Sequence, residues 1–211
     1  MLEKLIKLQK NLRNKVLLVD FKDSVGIVAG CDASFPDDKT LGICVNLKFP
    51  ELRIIEISYA FLETHFPYIP TFLSFRELPA LIQAYRNLKY EPDLILIDGQ
   101  GIAHPRGLGI ASHFGVIVRK PTIGVAKSRL FGTYRNEPSG QRGSFVYLNG
   151  EDGKIIGAVV RTRDRVKPVF VSPGNLITVL DSIEWVLKFS AGFRLPEPTR
   201  IADKISKSLM K

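Results

Sequence analysis

Leu94, Ile95, Leu96 and Ile97 form an unbroken apolar run that ends on Asp98 and breaks at once on Gly99 and Gly101. No polar residue alternates with them, so the run reads as a strand covered on both faces, with a layer packed on each side of its sheet. A carboxylate handed to a glycine turn at such a strand end lies where open α/β sheets present their chemistry. After the turn come His104, Pro105 and Arg106, then Leu108, Ala111, Ser112, Gly115 and Val116 at helical spacing. A second short strand, Pro121 to Val125, follows and delivers Lys127. One carboxylate, one imidazole and two cations thus gather around two strand ends.

The flanking segments fill in the sheet. VGIVAGCDASF from Val25, LGICVNLKF from Leu41 and RIIEISYAFL from Arg53 are strand-like, with short links, and predict an antiparallel meander. Ser74 followed by Glu77 matches a capping box, so a helix is expected from about Phe75 to Leu88. With the helix around 108–119 and the strand ending near Val125, the order describes an α/β fold with a mixed five-stranded central sheet flanked by helices. Residues 128–143 read as a long polar, basic surface loop. SFVYL and IIGAVV, joined by NGEDGK, predict a hairpin that extends the sheet or forms a side layer. Helices are expected at residues 2 to about 14, from Asn175 to about Ala191, and from Thr199 as an N-cap towards Met210.

At 211 residues and 45% hydrophobic, the chain is expected to form a single domain, residues 1–211. The formal charge of +9 favours a polyanionic partner. Cys31 and Cys44 lie in apolar runs without a C-x-x-C spacing and read as buried thiols of a reducing compartment. With a charged N-terminal segment and no run of 18 apolar residues, the expectation is a soluble, cytoplasmic protein with no membrane partner. A dinucleotide fingerprint fails: its third glycine would fall at His104, and Arg119 and Lys120 stand where an acidic ribose ligand belongs. G-x-x-x-x-G-K is missing too, so no nucleotide cofactor is expected. Three histidines without H-E-x-x-H or paired cysteines argue against zinc.

What remains is a carboxylate set: Asp32, Glu77, Asp98 and Asp203. Asp32 sits in an apolar strand, where an unpaired carboxylate is costly, and neighbouring first and fourth strands would set it against Asp98. Hard oxygen ligands of this kind select Mg²⁺, with Mn²⁺ as a substitute, for attack of water on a phosphodiester. Lys127 could orient that water or neutralise the phosphate, or lie along the surface. Glu77 has the alternative of half a capping box, Asp203 that of a solvated helix residue, and His104 that of a turn cap. Pro67-Tyr68-Ile69-Pro70 presents an aromatic between two ring-stiffened positions, suited to insertion; its alternative is a core tyrosine at a turn.

These motifs, VAGCDASF at 28–35, PYIP, LSFRELP, LILIDGQGIAHPRGLGIASHFGV, PTIGVAKSRL and LPEPTRIADK at 195–204, resemble the endonuclease V family over nearly the whole chain. The resemblance implies an RNase H-like fold and a Mg²⁺-dependent, monomeric DNA repair endonuclease. By the resemblance, it recognises deoxyinosine and cuts on the 3′ side, one nucleotide beyond the lesion, leaving 3′-OH and 5′-phosphate. It implies that Asp32, Asp98 and Glu77 bind the metal, with Asp203 at the site edge, and that Lys127 and His104 assist at the reacting phosphate. It further implies a wedge of Pro67, Tyr68, Ile69 and Pro70 with Arg76 against the DNA, and a lesion pocket around Gly99, Leu108 and Gly109. Thr71 departs from the family's glycine after PYIP. Two alternatives stand beside this reading: a ribonuclease of inosine-containing RNA, distinguished by a 2′-OH contact, and a non-catalytic reader of extruded bases. Clustered negative charge argues against a pure binder of polyanions.

Overall fold

The structure is a computed structural model and describes residues 2–210. In chain order the elements are α1 (Leu2–Arg13), β1 (Ile27–Ser34), β2 (Lys39–Lys48), β3 (Arg53–Glu63), α2 (Leu73–Arg86), β4 (Leu94–Asp98), α3 (Ile110–Val118), β5 (Thr122–Ala126), β6 (Phe145–Asn149), β7 (Ile155–Val160), β8 (Val169–Asn175), α4 (Val179–Lys188) and α5 (Glu197–Leu209). All eight strands join one mixed sheet in the order β3-β2-β1-β4-β5-β8-β7-β6. The predicted meander and the parallel β1, β4 and β5 are its first five strands. The sheet has eight strands rather than five because β8 pairs antiparallel with both β5 and β7 and so docks the predicted hairpin onto it.

β8 was not among the expected strands, and it carries Pro173 and Gly174, residues that interrupt a strand signal. Its ladder with β5 carries an irregularity where Ile123 faces Pro173 and Thr122 faces Asn175, and a bulge is where a strand tolerates proline. Asn175 accordingly ends a strand instead of opening a helix; its side chain accepts from Leu17 N and donates to Gly115 O. The next helix opens three residues later at a capped start, where Thr178 Oγ1 accepts from Asp181 N at 3.2 Å. The last helix also starts elsewhere than expected, with Pro196 rather than Thr199 at its N-cap. Pro198 falls in the first turn, where a missing N–H costs nothing.

β4 has buried residues on both faces, as its unbroken apolar run requires. Leu94 and Leu96 pack with Val28, Ile123, Val125 and the α4 residues Ile183 and Val186 on one side. Ile95 and Ile97 pack with Leu78, Leu81 and Phe114 of α2 and α3 on the other. Cys31 and Cys44 are free, buried and opposite one another in the β1–β2 ladder. Two glycines set how closely the helices lie. A Cβ on Gly30 would stand 1.9 Å from Pro198 O, and one on Gly42 would stand 2.3 Å from the Ala80 carbonyl carbon. Backbone contact at these points lays α5 on β1 and α2 on β2, and those helices carry Asp203 and Glu77. No helix among the described residues is long and apolar enough to cross a membrane.

Candidate active site

The β1–β4 register, Val28 with Leu94 through Cys31 with Ile97, continues by one residue to set Asp32 beside Asp98. Alternation along each strand places Val28, Gly30 and Asp32, and likewise Leu94, Leu96 and Asp98, on the face that α5 covers. On β5, Ile123 and Val125 share that face, so the chain leaving the strand delivers Lys127 to it. Three parallel strand ends therefore present two carboxylates and an ammonium side by side. The Lys127 ammonium donates to Asp98 Oδ2 at 2.7 Å and to Asp203 Oδ1 at 3.1 Å. Asp203 also receives Lys207 at 2.7 Å on its other oxygen. Burial lowers the Lys127 pKa, but its bonds to Asp98 and Asp203 outweigh this and the net shift is upward. The Lys127 ammonium thus ends between two aspartates, and Asp203 turns its carboxylate towards the strand ends.

Glu77 comes from α2 and is buried. No capping box forms: the helix starts at Leu73 with Phe72 at the N-cap and no side-chain cap. Ser74 instead shares a 3.0 Å hydrogen bond with His113 Nδ1. With the helix beginning two residues earlier than its sequence suggests, Glu77 belongs to the second turn and faces the strand ends. Burial first, then the charges of Asp32 and Asp98, push its pKa up to about 8. Burial first, then Asp98, push Asp32 up to about 7. Among the described residues no three His, Cys, Asp or Glu side chains stand close enough, as placed, to hold an ion between them. The chemistry of the set still fits a hard cation: Asp32 and Glu77 are raised by burial and then by neighbouring carboxylate charge, so the site holds more negative charge than the protein neutralises.

Beside these groups opens a cavity of about 230 Å³. Gly99, Leu108 and Gly109 all line it, as do Tyr68, Pro70 and Thr71. A Cβ on Gly109 would stand 2.3 Å from Gln100 O, so the two turns that form this wall require glycine. Tyr68 is 65% exposed, which removes the reading of a core tyrosine. Behind it, Phe72 N donates to Ile69 O at 3.0 Å, with Pro70 and Thr71 between them and φ of +69° at Thr71. This has the form of a type II turn, whose third position favours glycine, so Thr71 in place of the expected glycine is a backbone question. A β-branched residue there is strained by about 1–2 kcal/mol. The strain is offset by three donors converging on Thr71 O: Gln9 Nε2 at 3.0 Å, His104 Nε2 at 3.0 Å and Arg106 Nη2 at 2.8 Å.

His104 therefore lies at the root of the PYIP loop, with both ring nitrogens engaged. Nε2–H donates to Thr71 O, and Nδ1 accepts from Arg106 N at 3.1 Å. Burial pulls its pKa down to about 4, so the ring is neutral at pH 7 and no hydrogen bond joins it to the carboxylates. Arg76 is set apart from the Tyr68 cavity: its guanidinium covers the Phe35 ring at 4.1 Å and lines a separate cleft with His65 and Phe66. Sequence reasoning missed Gln9, the one buried residue of α1. A lone polar residue in an amphipathic helix gives no signal of a partner 62 positions away. It also missed Gln100, Ser128 and Arg129 of the cavity wall.

The Endonuclease V family model matches residues 10–204. Endonuclease V of Dictyoglomus thermophilum is 49% identical over 208 residues, covering 99% of this chain and 90% of that protein. The chain belongs to the endonuclease V family. Membership makes it a nuclease acting on phosphodiester bonds. Among solved structures, the Streptomyces avermitilis family member superposes with a TM-score of 0.93 at 36% identity, covering 99% of this chain and 92% of that one. The Ciona intestinalis endonuclease V, solved with a 24mer DNA containing an inosine followed by a ribo-adenosine, gives 0.87 at 27% identity, covering 99% and 97%. The expected α/β class, a mixed sheet flanked by helices, stands, with three strands beyond the five expected.

Proposed function

We propose that the protein is a Mg²⁺-dependent repair endonuclease that recognises deoxyinosine in DNA and hydrolyses the strand on the 3′ side, one nucleotide beyond the lesion. The observation that carries this reading is the adjacency of Asp32 and Asp98, at neighbouring strand ends, to a small cavity rimmed by an exposed tyrosine. At about 230 Å³ the cavity is below the ~300–1,000 Å³ of drug-sized sites and suits a single extruded base. The inosine in the strand bound by the Ciona protein supports the identity of that base.

Asp32, Asp98 and Glu77 would hold the ion, with Asp203 at its edge. A divalent ion bound there supplies Lewis-acid polarisation of the phosphate and an activated water. The chain's own groups do the rest. Lys127, positively charged and tethered by Asp98 and Asp203, lies ready to neutralise charge on the scissile phosphate. Tyr68, between Pro67 and Pro70, fills the gap that the extruded base leaves, and Gly99, Leu108 and Gly109 close around that base. His104, neutral and spent on Thr71 and Arg106, steadies the loop and the cavity wall. Attack of water on phosphorus breaks the P–O3′ bond and leaves 3′-OH and 5′-phosphate.

The ribo-adenosine beside the inosine in the Ciona complex favours one second reading, cleavage of inosine-containing RNA. A cleavage assay on one inosine in matched DNA and RNA strands, with Mg²⁺ and with chelator, tests both. Cleavage of the DNA in Mg²⁺ alone is expected. Activity that persists in chelator would overturn the metal assignment, and cleavage of RNA alone would replace the substrate.

A further inference from the structure

Lys127 also lines another concavity, of about 420 Å³, together with Arg161, Arg165, Lys167 and Arg194, and with Glu137 as its one acid. Arg161 donates to Ser139 O at 3.0 Å, to Pro138 O at 2.8 Å and to Val166 O. Arg194 donates to Lys127 O at 2.7 Å, Pro168 O at 2.9 Å and Lys167 O at 3.0 Å. Two guanidiniums thus cross-link the 137–140 loop, the 165–168 loop and the end of β5 through neutral carbonyls. Such partners fix the geometry but cancel none of the charge. Among the described residues neither arginine, nor Arg165, nor Lys167 makes an ion pair with a carboxylate. The Glu137 carboxylate is engaged by Tyr134 OH at 2.8 Å. Arg165 and Lys167 are exposed, and their side chains make no hydrogen bond among the described residues.

We infer that this basic concavity is a phosphate-binding surface for the substrate strand, which it carries away from the scissile phosphate on one side of the inosine. The inference rests on the nuclease reading above. Three features support it. The concavity begins at Lys127, the side chain that also reaches Asp98 and Asp203, so a backbone leaving the reaction centre passes directly onto it. Among the described residues Arg161, Arg165, Lys167 and Arg194 make no ion pair, and two of them, Arg161 and Arg194, are held in place by backbone carbonyls, which lowers the ordering cost of binding a polyanion. A strand approaching a site of clustered carboxylates also needs nearby cations to offset the repulsion. Arg194 has the further effect of fixing the Lys127 carbonyl, so the surface and the reacting lysine are held in one frame.

The test uses Arg165→Gln with Lys167→Gln, two exposed side chains whose loss leaves the Arg161 and Arg194 cross-links in place. Binding is measured in chelator with an inosine-containing duplex and with two shortened duplexes, one truncated close to the inosine on its 5′ side and one on its 3′ side. On the full duplex the double variant should bind roughly tenfold more weakly near 0.1 M salt, with a log–log salt slope smaller by about 2, one for each phosphate no longer neutralised. On one truncated duplex, and only one, the wild-type protein should fall to the level of the variant. Equal affinity on the full duplex, or a deficit that survives both truncations, overturns the surface. A wild-type protein with no preference for inosine would overturn the functional reading instead. A melting temperature within a degree or two of wild type shows that the variant is folded.

Discussion

Tyr68→Ala separates recognition from chemistry. The ring is 65% exposed, and the side chain takes part in no hydrogen bond or aromatic contact among the described residues. Its removal should change stability by no more than about 0.5 kcal/mol. In the complex the exposed share of a tyrosine, roughly 100–160 Å² of surface, becomes available for stacking, which at ~25 cal/mol per Å² corresponds to about 2.5–4 kcal/mol if wholly covered. Ordering and imperfect cover reduce this to about 1–3 kcal/mol, the range for one base–aromatic stack, or about 5- to 150-fold in affinity. The ordering cost is small because Pro67, Pro70 and the triply bonded Thr71 carbonyl already hold the loop. The assay is a titration of duplex and single-stranded inosine substrates, paired with thermal unfolding. The loss should be largest on the duplex, where pairing must be broken, and should shrink on the single strand. Equal losses on both substrates with a lowered melting temperature would refute the wedge.

The other predictions concern charge. Asp98→Asn should abolish cleavage while leaving binding to inosine-containing DNA intact or tighter, because it removes a proposed metal ligand and lessens repulsion of phosphate; near wild-type turnover in Mg²⁺ would refute it. Asp203→Ala should raise the Mg²⁺ concentration needed for half-maximal cleavage while changing stability by about 0.2–1 kcal/mol, the worth of partly exposed ion pairs. An unchanged metal titration would reduce Asp203 to an ion-pair partner of Lys127 and Lys207. His113 has its pKa pulled down by burial to about 4, against 6.5 when exposed. The unfolded chain therefore binds the proton more tightly, and stability contributed by the neutral ring is present above pH 6.5 and lost as the pH falls towards 4, by at most about 3 kcal/mol. His113→Gln should flatten the acid limb of the unfolding free energy measured from pH 7.5 to 4.5; parallel limbs for the two proteins would show that His113 does not titrate on unfolding.

The strand ends were legible in sequence because burial on both faces leaves an unbroken apolar signature, and a carboxylate that terminates it stands out. Asp98 was found that way, Asp32 by the cost of a carboxylate inside an apolar strand and Lys127 as the cation that follows the next strand; the register of β1 on β4 places the aspartates as neighbours. β8 was not legible, since a bulge that accommodates Pro173 has the same local composition as a turn. Glu77 was legible as a residue but not in its role. Ser74 and Glu77 have the spacing of a capping box, and only the tertiary bond from Ser74 to His113 shows that the helix starts earlier. Local spacing and long-range partnering compete for the same side chain, and the latter leaves no trace in the nearby sequence. The same holds for Gln9 and Thr71, whose bond spans 62 positions.

The placement of the acidic groups follows from how the layers meet. Asp32 and Asp98 are fixed by strand register, but Glu77 and Asp203 ride on helices from opposite faces of the sheet, and each could slide along its strand without losing much apolar burial. The glycines remove that freedom. At Gly42 the backbone of α2 meets the backbone of β2, and at Gly30 that of α5 meets β1, with no side chain between them. Both contacts fall within two residues, along β1 and its partner β2, of the Asp32–Ile43 pair. Helix position is thereby tied to the part of the sheet that bears the aspartates. A side chain inserted at either glycine would push its helix outward and carry Glu77 or Asp203 away from the other carboxylates, even though neither glycine touches substrate. The cost of burying and gathering the carboxylates, seen in the raised pKa of Asp32 and Glu77, is sustained because close backbone packing leaves the helices no outward relaxation that keeps the core filled.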